Sequence, residues 1–515
     1  MQDGGYHSIV KFFSVLPRFR VRLRTVCLAS LLAVSFSAGM PQPVYAQSLP
    51  SLGSGDGGEL SPLMERRIGE QIMRDIRRDR NYLDDAPLIE YLNNFGAMLV
   101  AAHPEARGQA GFDYFFFPVR DKMLNAFALP GGFIGVHSGL LLAAENESEL
   151  ASVLAHEIGH VAQRHIARML GQQRQDSVIP LAALVLGALV ANSSPDAAAA
   201  LAMGGQGLAV QRQLNFSRDA EREADRIGVQ ILQSAGLDTS GMISFFGRVQ
   251  NATRAYSDGA PAYLLSHPLT TERIADIQAR TRNDRYRQRV DNIDFHLMRA
   301  RVRVLQDPTP QGLRDAEVAF DGQLQQEGKQ QTAAAYYGKA LVALRQGAPD
   351  KAQGFLEKAQ AAIGKPDAVL DSLAIEIRLA ARKPDEAVEL ANVARTRFPL
   401  SRGLARQYAD ALIEAGRVDE AVDYLRDQAQ LYRQDAKLHE LLARAYAAQG
   451  RKALQHLSLA EVYALNGSLP AAIDQLGIAR RAGDGTFHEL AIIDAREREF
   501  KARWADELKD QEAEP

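Results

Sequence analysis

Cysteine is almost missing from this chain: its 515 residues hold one, Cys27, so no internal disulfide can form. If Cys27 is removed with a leader, a thiol nucleophile is excluded as well. A surplus of either charge is also missing. Lys and Arg number 60 against 63 Asp and Glu, a formal net charge of -3, and no basic block interrupts the body of the chain. That balance lacks the footprint of a nucleic-acid partner. Long apolar runs are the third absence. Val26 to Met40 and Val178 to Ala191 are apolar, but both fall short of the roughly 20 residues a straight membrane-spanning helix needs.

What is present begins with a leader pattern. Lys11, Arg18, Arg20, Arg22 and Arg24 precede the apolar run, and Pro41, Pro43 and Val44-Tyr45-Ala46 follow it. This predicts a secretion signal over residues 1–46, cleaved after Ala46. Cleavage removes five basic residues and one acidic residue, leaving 55 against 62, a net charge of -7. Cys27 leaves with the signal, and Arg24 stands where a lipid-attachment motif needs an apolar residue. A Gly/Ser/Pro-rich tether is expected over 47–62.

A first domain is expected over 63–285. Leu63 to Ala102 has helical periodicity, with Leu88, Tyr91, Leu92, Phe95, Met98 and Leu99 on one face. Phe112 to Val119 and Ala126 to Val136 are aromatic and β-branched runs broken by Gly and Pro, and are read as strands. Asn146 with Glu149 resembles a capping box opening a helix from Glu147 to Leu170. A second long helix is predicted over Ser217 to Ala235, stopped by Gly236. Between them, Gln172 to Asn215 is apolar and small-residue-rich, which predicts a buried helix or a loop over a cleft, with peripheral membrane contact as the alternative.

From Asn292 onward the chain becomes alanine-rich helical pairs. Ala352, Ala387 and Ala421 recur at intervals of 35 and 34, and Gly416 and Gly450 are 34 apart. That period is the tetratricopeptide spacing and predicts an all-α solenoid over 292–500. The next similar turn, Leu469-Pro470-Ala471-Ala472, falls 51 after Ala421, so one unit is irregular.

Chemistry concentrates in two short motifs. In His156-Glu157-Ile158-Gly159-His160 the two histidines are four apart, offset by about 40° on a helix, and can share a tetrahedral ion. Glu157 can hold a water against that ion, take its proton and pass it to a leaving amine. A catalytic zinc needs a third protein ligand and one open position. The metzincin arrangement would place glycine three residues and histidine six residues after His160, but Gln163 and Ile166 stand there. His165 is rotated from the ligand face of a continuous helix and is read as an exposed or capping residue. Glu221 and Asp225, four apart on the second helix, can both face the first. Glu221 is the expected third ligand. Asp225 can reach the outer nitrogen of a ligand histidine, His156 by preference, and Glu223 between them is read as solvated.

These residues resemble the M48 zinc endopeptidases of the gluzincin type. The resemblance spans Leu63 to Arg282 and is carried by Asn125 to Gly132, Leu154 to His160, and Ser217-Arg218 through Asp225. It implies an α+β gluzincin-type metalloprotease domain, helices with a small sheet, followed by the tetratricopeptide solenoid. It further implies one Zn2+ per chain, held by His156, His160 and Glu221, with Glu157 as base and Asp225 either supporting a ligand or donating a proton. Ser266 to Arg273 matches the family's His-Pro segment, so His267 is expected to stabilise an oxyanion, or to bind the metal and hold the enzyme latent. The strand Asn125 to Leu129 is a candidate free edge for an extended substrate. A signal joined to a repeat array resembles periplasmic members of the family. It implies a Gram-negative host and quality control of outer-membrane proteins, with unfolded or misassembled envelope proteins as substrates and assembly machinery as a partner of the repeats. The alternative is a chaperone or scaffold in outer-membrane assembly whose repeats dominate and whose proteolysis is conditional.

Overall fold

The computed structural model of the chain describes residues 60–108, 110–171, 218–255, 263, 267–284, 289–326 and 328–512. The expected leader, most of the tether and the apolar insertion lie outside these residues. Among them, no helix is long and apolar enough to cross a membrane.

The periodic segment after the tether is two helices, α1 (Pro62–Arg78) and α2 (Ala86–Ala102), rather than one. The break arises because Asp79 ends α1 in extended geometry and Asp85 caps α2, its side chain accepting from the Leu88 amide. The link between them adds an isolated bridge from Tyr82 to Val119 of strand β1 (Phe115–Val119). The second apolar run is a hairpin, β2 (Ala126–Leu129) and β3 (Phe133–His137), turned by Gly131 and Gly132 at φ of 77° and 94°. Only glycine adopts those angles at low cost. The sheet order is β1-β3-β2, with β1 parallel and β2 antiparallel to β3. This leaves β2 at an edge among the described residues.

A short helix, α3 (Ser138–Ala143), leads into α4 (Glu147–Ala162), the axis of the domain, whose 16 residues are all buried. Its start is specified by Asn146, which accepts from the Glu149 amide at 3.0 Å, while the Glu149 carboxylate reaches back to the Glu145 amide at 2.8 Å. The predicted helix does not run to Leu170. It ends at Ala162, turns through Arg164 at φ 53°, and restarts as α5 (His165–Gly171). Across α4 lies α6 (Arg218–Ser234), followed by α7 (Ser240–Ala255) and α8 (Thr271–Thr281). A β-carbon at Gly159 would stand 2.9 Å from the Ala224 carbonyl oxygen and 3.0 Å from its Cα. The small residue in the middle of the His-Glu motif is therefore what lets α4 and α6 approach closely.

The remaining described helices form an antiparallel array: α9 (Ile293–Gln306), α10 (Pro310–Gln323), α11 (Lys329–Arg345), α12 (Pro349–Ile363), α13 (Ala368–Ala380), α14 (Pro384–Arg397), α15 (Arg402–Glu414), α16 (Val418–Leu431), α17 (Ala436–Ala448), α18 (Lys452–Leu465), α19 (Leu469–Arg481) and α20 (Phe487–Glu512). Ala352, Ala387, Ala421 and Ala472 are each fully buried, as residues at the closest helix contacts should be. The 51-residue step is one and a half periods: α18 packs along both α17 and α19, making a three-helix unit. One apolar core runs from Leu83 through α4 and α9 into α13, so helices on either side of the expected domain boundary share it. Arg301 of α9 pins that union, donating to both Asp85 oxygens at 2.7 and 2.8 Å, to Tyr337 at 2.9 Å and to Glu376 at 3.1 Å. Farther along, Glu90 of α2 accepts from Ser401 at 2.8 Å.

Candidate active site

The close approach of α4 and α6 brings three donors to one point, and the segment before α8 adds a fourth. Among the described residues, His156, His160, Glu221 and His267 form the group able to hold a metal, their ligand atoms all within 4.8 Å of one another. Each is essentially withdrawn from solvent, at 0 to 1% exposure. The two Nε2 atoms of His156 and His160 are 3.0 Å apart, and Glu221 lies 3.4 Å from each. Two nitrogens bound to a tetrahedral zinc at about 2.0–2.1 Å would be separated by roughly 3.3 Å. The donor set therefore fits zinc in spacing and in chemistry, since imidazole nitrogens and a carboxylate suit it better than the all-oxygen shells of Mg2+ or Ca2+.

The charges show how strongly this pocket calls for a cation. Burial pulls the His156 imidazole down, yet Asp225 and Glu221 outweigh it and raise the group to about 9. Burial and the neighbouring His156 and His267 hold His160 far below the usual histidine range. Despite burial, the surrounding histidines hold Glu221 well below an ordinary carboxylate.

Glu157 stands beside the cluster without joining it. Neither of its oxygens makes an aligned hydrogen bond, although the Ala128 amide of β2 is close enough to oppose the rise in its pKa. Burial, aided by Glu221, pushes Glu157 up, the direction a general base working near neutral pH requires. His267 places Nδ1 3.0 Å from Glu221 and 3.4 Å from His156, and Nε2 3.5 Å from Glu157. Its ring centroid lies 4.9 Å from that of buried Tyr263, whose carbonyl accepts the His267 amide at 2.8 Å.

Asp225 lies 2.9 Å from His156 Nδ1, a charge contact rather than an aligned hydrogen bond. Its two oxygens also receive Nε and Nη2 of Arg273 at 2.7 and 2.8 Å. The same guanidinium sits 2.7 Å from Glu221 and donates to the Pro268 carbonyl at 2.8 Å. Arg273 belongs to the His-Pro segment, but the sequence assigns it no part; its only signal is an arginine six residues after His267, too common to single out. His165 is not exposed. It is 4% accessible, with Nδ1 2.9 Å from His160 Nδ1 and Nε2 3.1 Å from Glu223. A continuous helix would rotate it away from His160, but the helix breaks before His165. Glu223 is likewise only half-exposed and bonded rather than simply solvated.

A buried His-Glu-x-x-His helix facing an acidic helix, carrying a donor set that suits zinc, defines the class: this is a zinc metalloendopeptidase. The model of peptidase family M48 matches residues 98–281. The chain is 32% identical over 457 residues to the beta-barrel assembly-enhancing protease of Escherichia coli (strain K12), covering 88% of this chain and 91% of the relative. It belongs to peptidase family M48. A putative beta-barrel assembly-enhancing protease of Vibrio cholerae is 38% identical over 321 residues, covering 61% of this chain and 64% of the relative. The mitochondrial metalloendopeptidase OMA1 of Arabidopsis thaliana is 28% identical over 226 residues, 44% of this chain and 43% of the relative.

Proposed function

We propose that this chain cleaves unfolded or misassembled outer-membrane proteins in the periplasm, with zinc held by His156, His160 and Glu221 and with Glu157 as the base. The observation that carries the reading is the converging buried donor set with one carboxylate beside it that is not part of the set. Held by His156, His160 and Glu221, a bound zinc would supply Lewis-acid polarisation of the scissile carbonyl and acidify water. Glu157 takes the proton of the attacking water and returns it to the leaving amine. Asp225, held ionised by Arg273 and His156 against its burial, orients His156 rather than donating a proton. Edge strand β2 offers its backbone to an extended substrate, with the Ala128 amide close to Glu157, so binding demands strand conformation more than sequence. The substrate class and the periplasmic setting are supported by the relatives named for β-barrel assembly and by the leader pattern. The repeat array, sharing the peptidase core, is suited to present substrates or dock to assembly machinery.

Metal removal tests this directly. Stripping the protein with a phenanthroline chelator should abolish cleavage of casein and of an unfolded β-barrel protein, and one equivalent of Zn2+, not Mg2+, should restore both. Cleavage that persists after complete demetallation would sink the assignment.

His267 completes a four-donor set, and a catalytic zinc needs an open position. Its Nδ1 faces the other ligand atoms, which favours a latch over an oxyanion contact and supports conditional proteolysis. A latch closed about nine-tenths of the time predicts that His267→Ala raises basal casein turnover by about tenfold. A fall in kcat at saturating zinc would instead assign His267 to catalysis.

A further inference from the structure

The two histidines of the motif are supported differently. His156 turns its outer nitrogen to a carboxylate, Asp225, in the arrangement metal sites commonly use. His160 turns its outer nitrogen to another imidazole. Nδ1 of His160 and Nδ1 of His165 are 2.9 Å apart with ring planes at 73°, and Nε2 of His165 lies 3.1 Å from Glu223 Oε2, where Arg168 also converges at 3.3 Å.

The protons in this line have only one consistent arrangement. If Nε2 of His160 gives its lone pair to a metal, the ring proton resides on Nδ1 and must be donated. Nδ1 of His165 then accepts it, so the His165 proton resides on Nε2 and is donated to the Glu223 carboxylate. Every donor meets an acceptor, and each ring is fixed in one tautomer. Resting on the assignment of His160 as a zinc ligand, we infer that His165 and Glu223 are positioning residues that set the tautomer and direction of His160 and thereby tighten zinc binding.

The backbone is built to deliver His165 there. Arg164 takes up the left-handed conformation at φ 53°, uncommon for a residue with a side chain. That turn folds His165 back beneath His160 instead of carrying it around a continuing helix. The Arg164 side chain is anchored by Nε on buried Glu65 at 2.9 Å and by a further hydrogen bond to the Leu60 carbonyl. Glu223 arrives from α6, between Glu221 and Asp225, so one stretch of that helix supports both ligand histidines.

The test is zinc affinity of the full mature chain, by competition with a chromogenic chelator, with kcat, KM and thermal stability measured alongside. His165→Ala should weaken zinc binding by about 10–100-fold and lower kcat at saturating zinc with KM unchanged. Glu223→Gln should move the same quantities in the same direction by several-fold. His165→Asn, whose side-chain oxygen can accept from His160, should recover most of the affinity. Unchanged affinity in a folded His165→Ala protein would overturn the inference, as would an Asn variant no better than Ala. Should His165→Ala not fold, Glu223→Gln decides, because its half-exposed site tolerates change; unchanged affinity there overturns the relay. His160→Ala separates the two levels. Zinc loss at His160→Ala with none at His165→Ala refutes the relay alone, whereas retained zinc at His160→Ala refutes the ligand assignment beneath it.

Discussion

Glu157→Gln should leave zinc bound and lower kcat on casein or a quenched peptide by about 10²–10⁴-fold, the contribution of a positioned general base. The variant is nearly isosteric, and Glu157 is outside the four-donor group, so the ion has no reason to leave. What is lost is the ability to take up a proton. In the native site burial pushes this carboxyl up, and no aligned hydrogen bond holds it in the ionised form. Glutamine cannot be protonated at neutral pH at all. Bound zinc by elemental analysis, set against single-turnover cleavage, checks both halves. Retained cleavage would refute the assigned base. The same variant also weighs protease against scaffold: full rescue of the envelope defect of a null strain by Glu157→Gln would show that the repeats act without proteolysis.

The second large effect is on stability. Arg273→Met should destabilise the peptidase region by about 3–5 kcal/mol, because it leaves buried carboxylates without their counter-charge. Arg273 is 3% exposed and forks onto both oxygens of Asp225 while lying 2.7 Å from Glu221. Truncation therefore leaves two carboxylates that cannot reach water with only the neighbouring histidines to offset them. Its own charge is secured too, since the acidic partners outweigh burial and raise its pKa. Thermal unfolding should begin roughly 10 °C lower. The loss should be larger in metal-free protein, where only the surrounding histidines remain to offset Glu221. Arg273→Lys should recover only part of it, because an ammonium keeps the charge but not the two-pronged geometry. Equal melting of Arg273→Met and native protein would mean that this pair contributes no net stability.

Several features are legible in the amino-acid sequence because they depend on local chemistry. The start of α4 can be read from Asn146 and Glu149, since a cap is a contact between residues three apart. The hairpin turn is marked by Pro130-Gly131-Gly132, which breaks the aromatic and β-branched run and ends a strand at Leu129. The repeat period can be read from alanines and glycines, and its irregular step is an additional helix.

Other features depend on where the chain goes next. Five positions along a continuous helix point His165 away from His160, and a single left-handed residue, Arg164, reverses that outcome. Arg273 carries no local signal, because its partners Asp225 and Glu221 are some 50 residues distant. Nothing in the sequence joins Arg301 to Asp85, 216 residues apart, though that pair helps weld repeats to peptidase.

The sequence by itself determined the class of chemistry, because helix geometry fixes which residues four apart share a face, and only a few residue types ligate zinc. The tertiary structure decided everything that depends on two helices meeting. Gly159 sets the separation of α4 and α6, and that separation decides whether Glu221 and Asp225 reach the histidines, while the turn at Arg164 brings His165 against His160 and the segment before α8 brings His267 to the cluster. Distances of this kind come from packing between segments remote in the chain, and no local pattern encodes them.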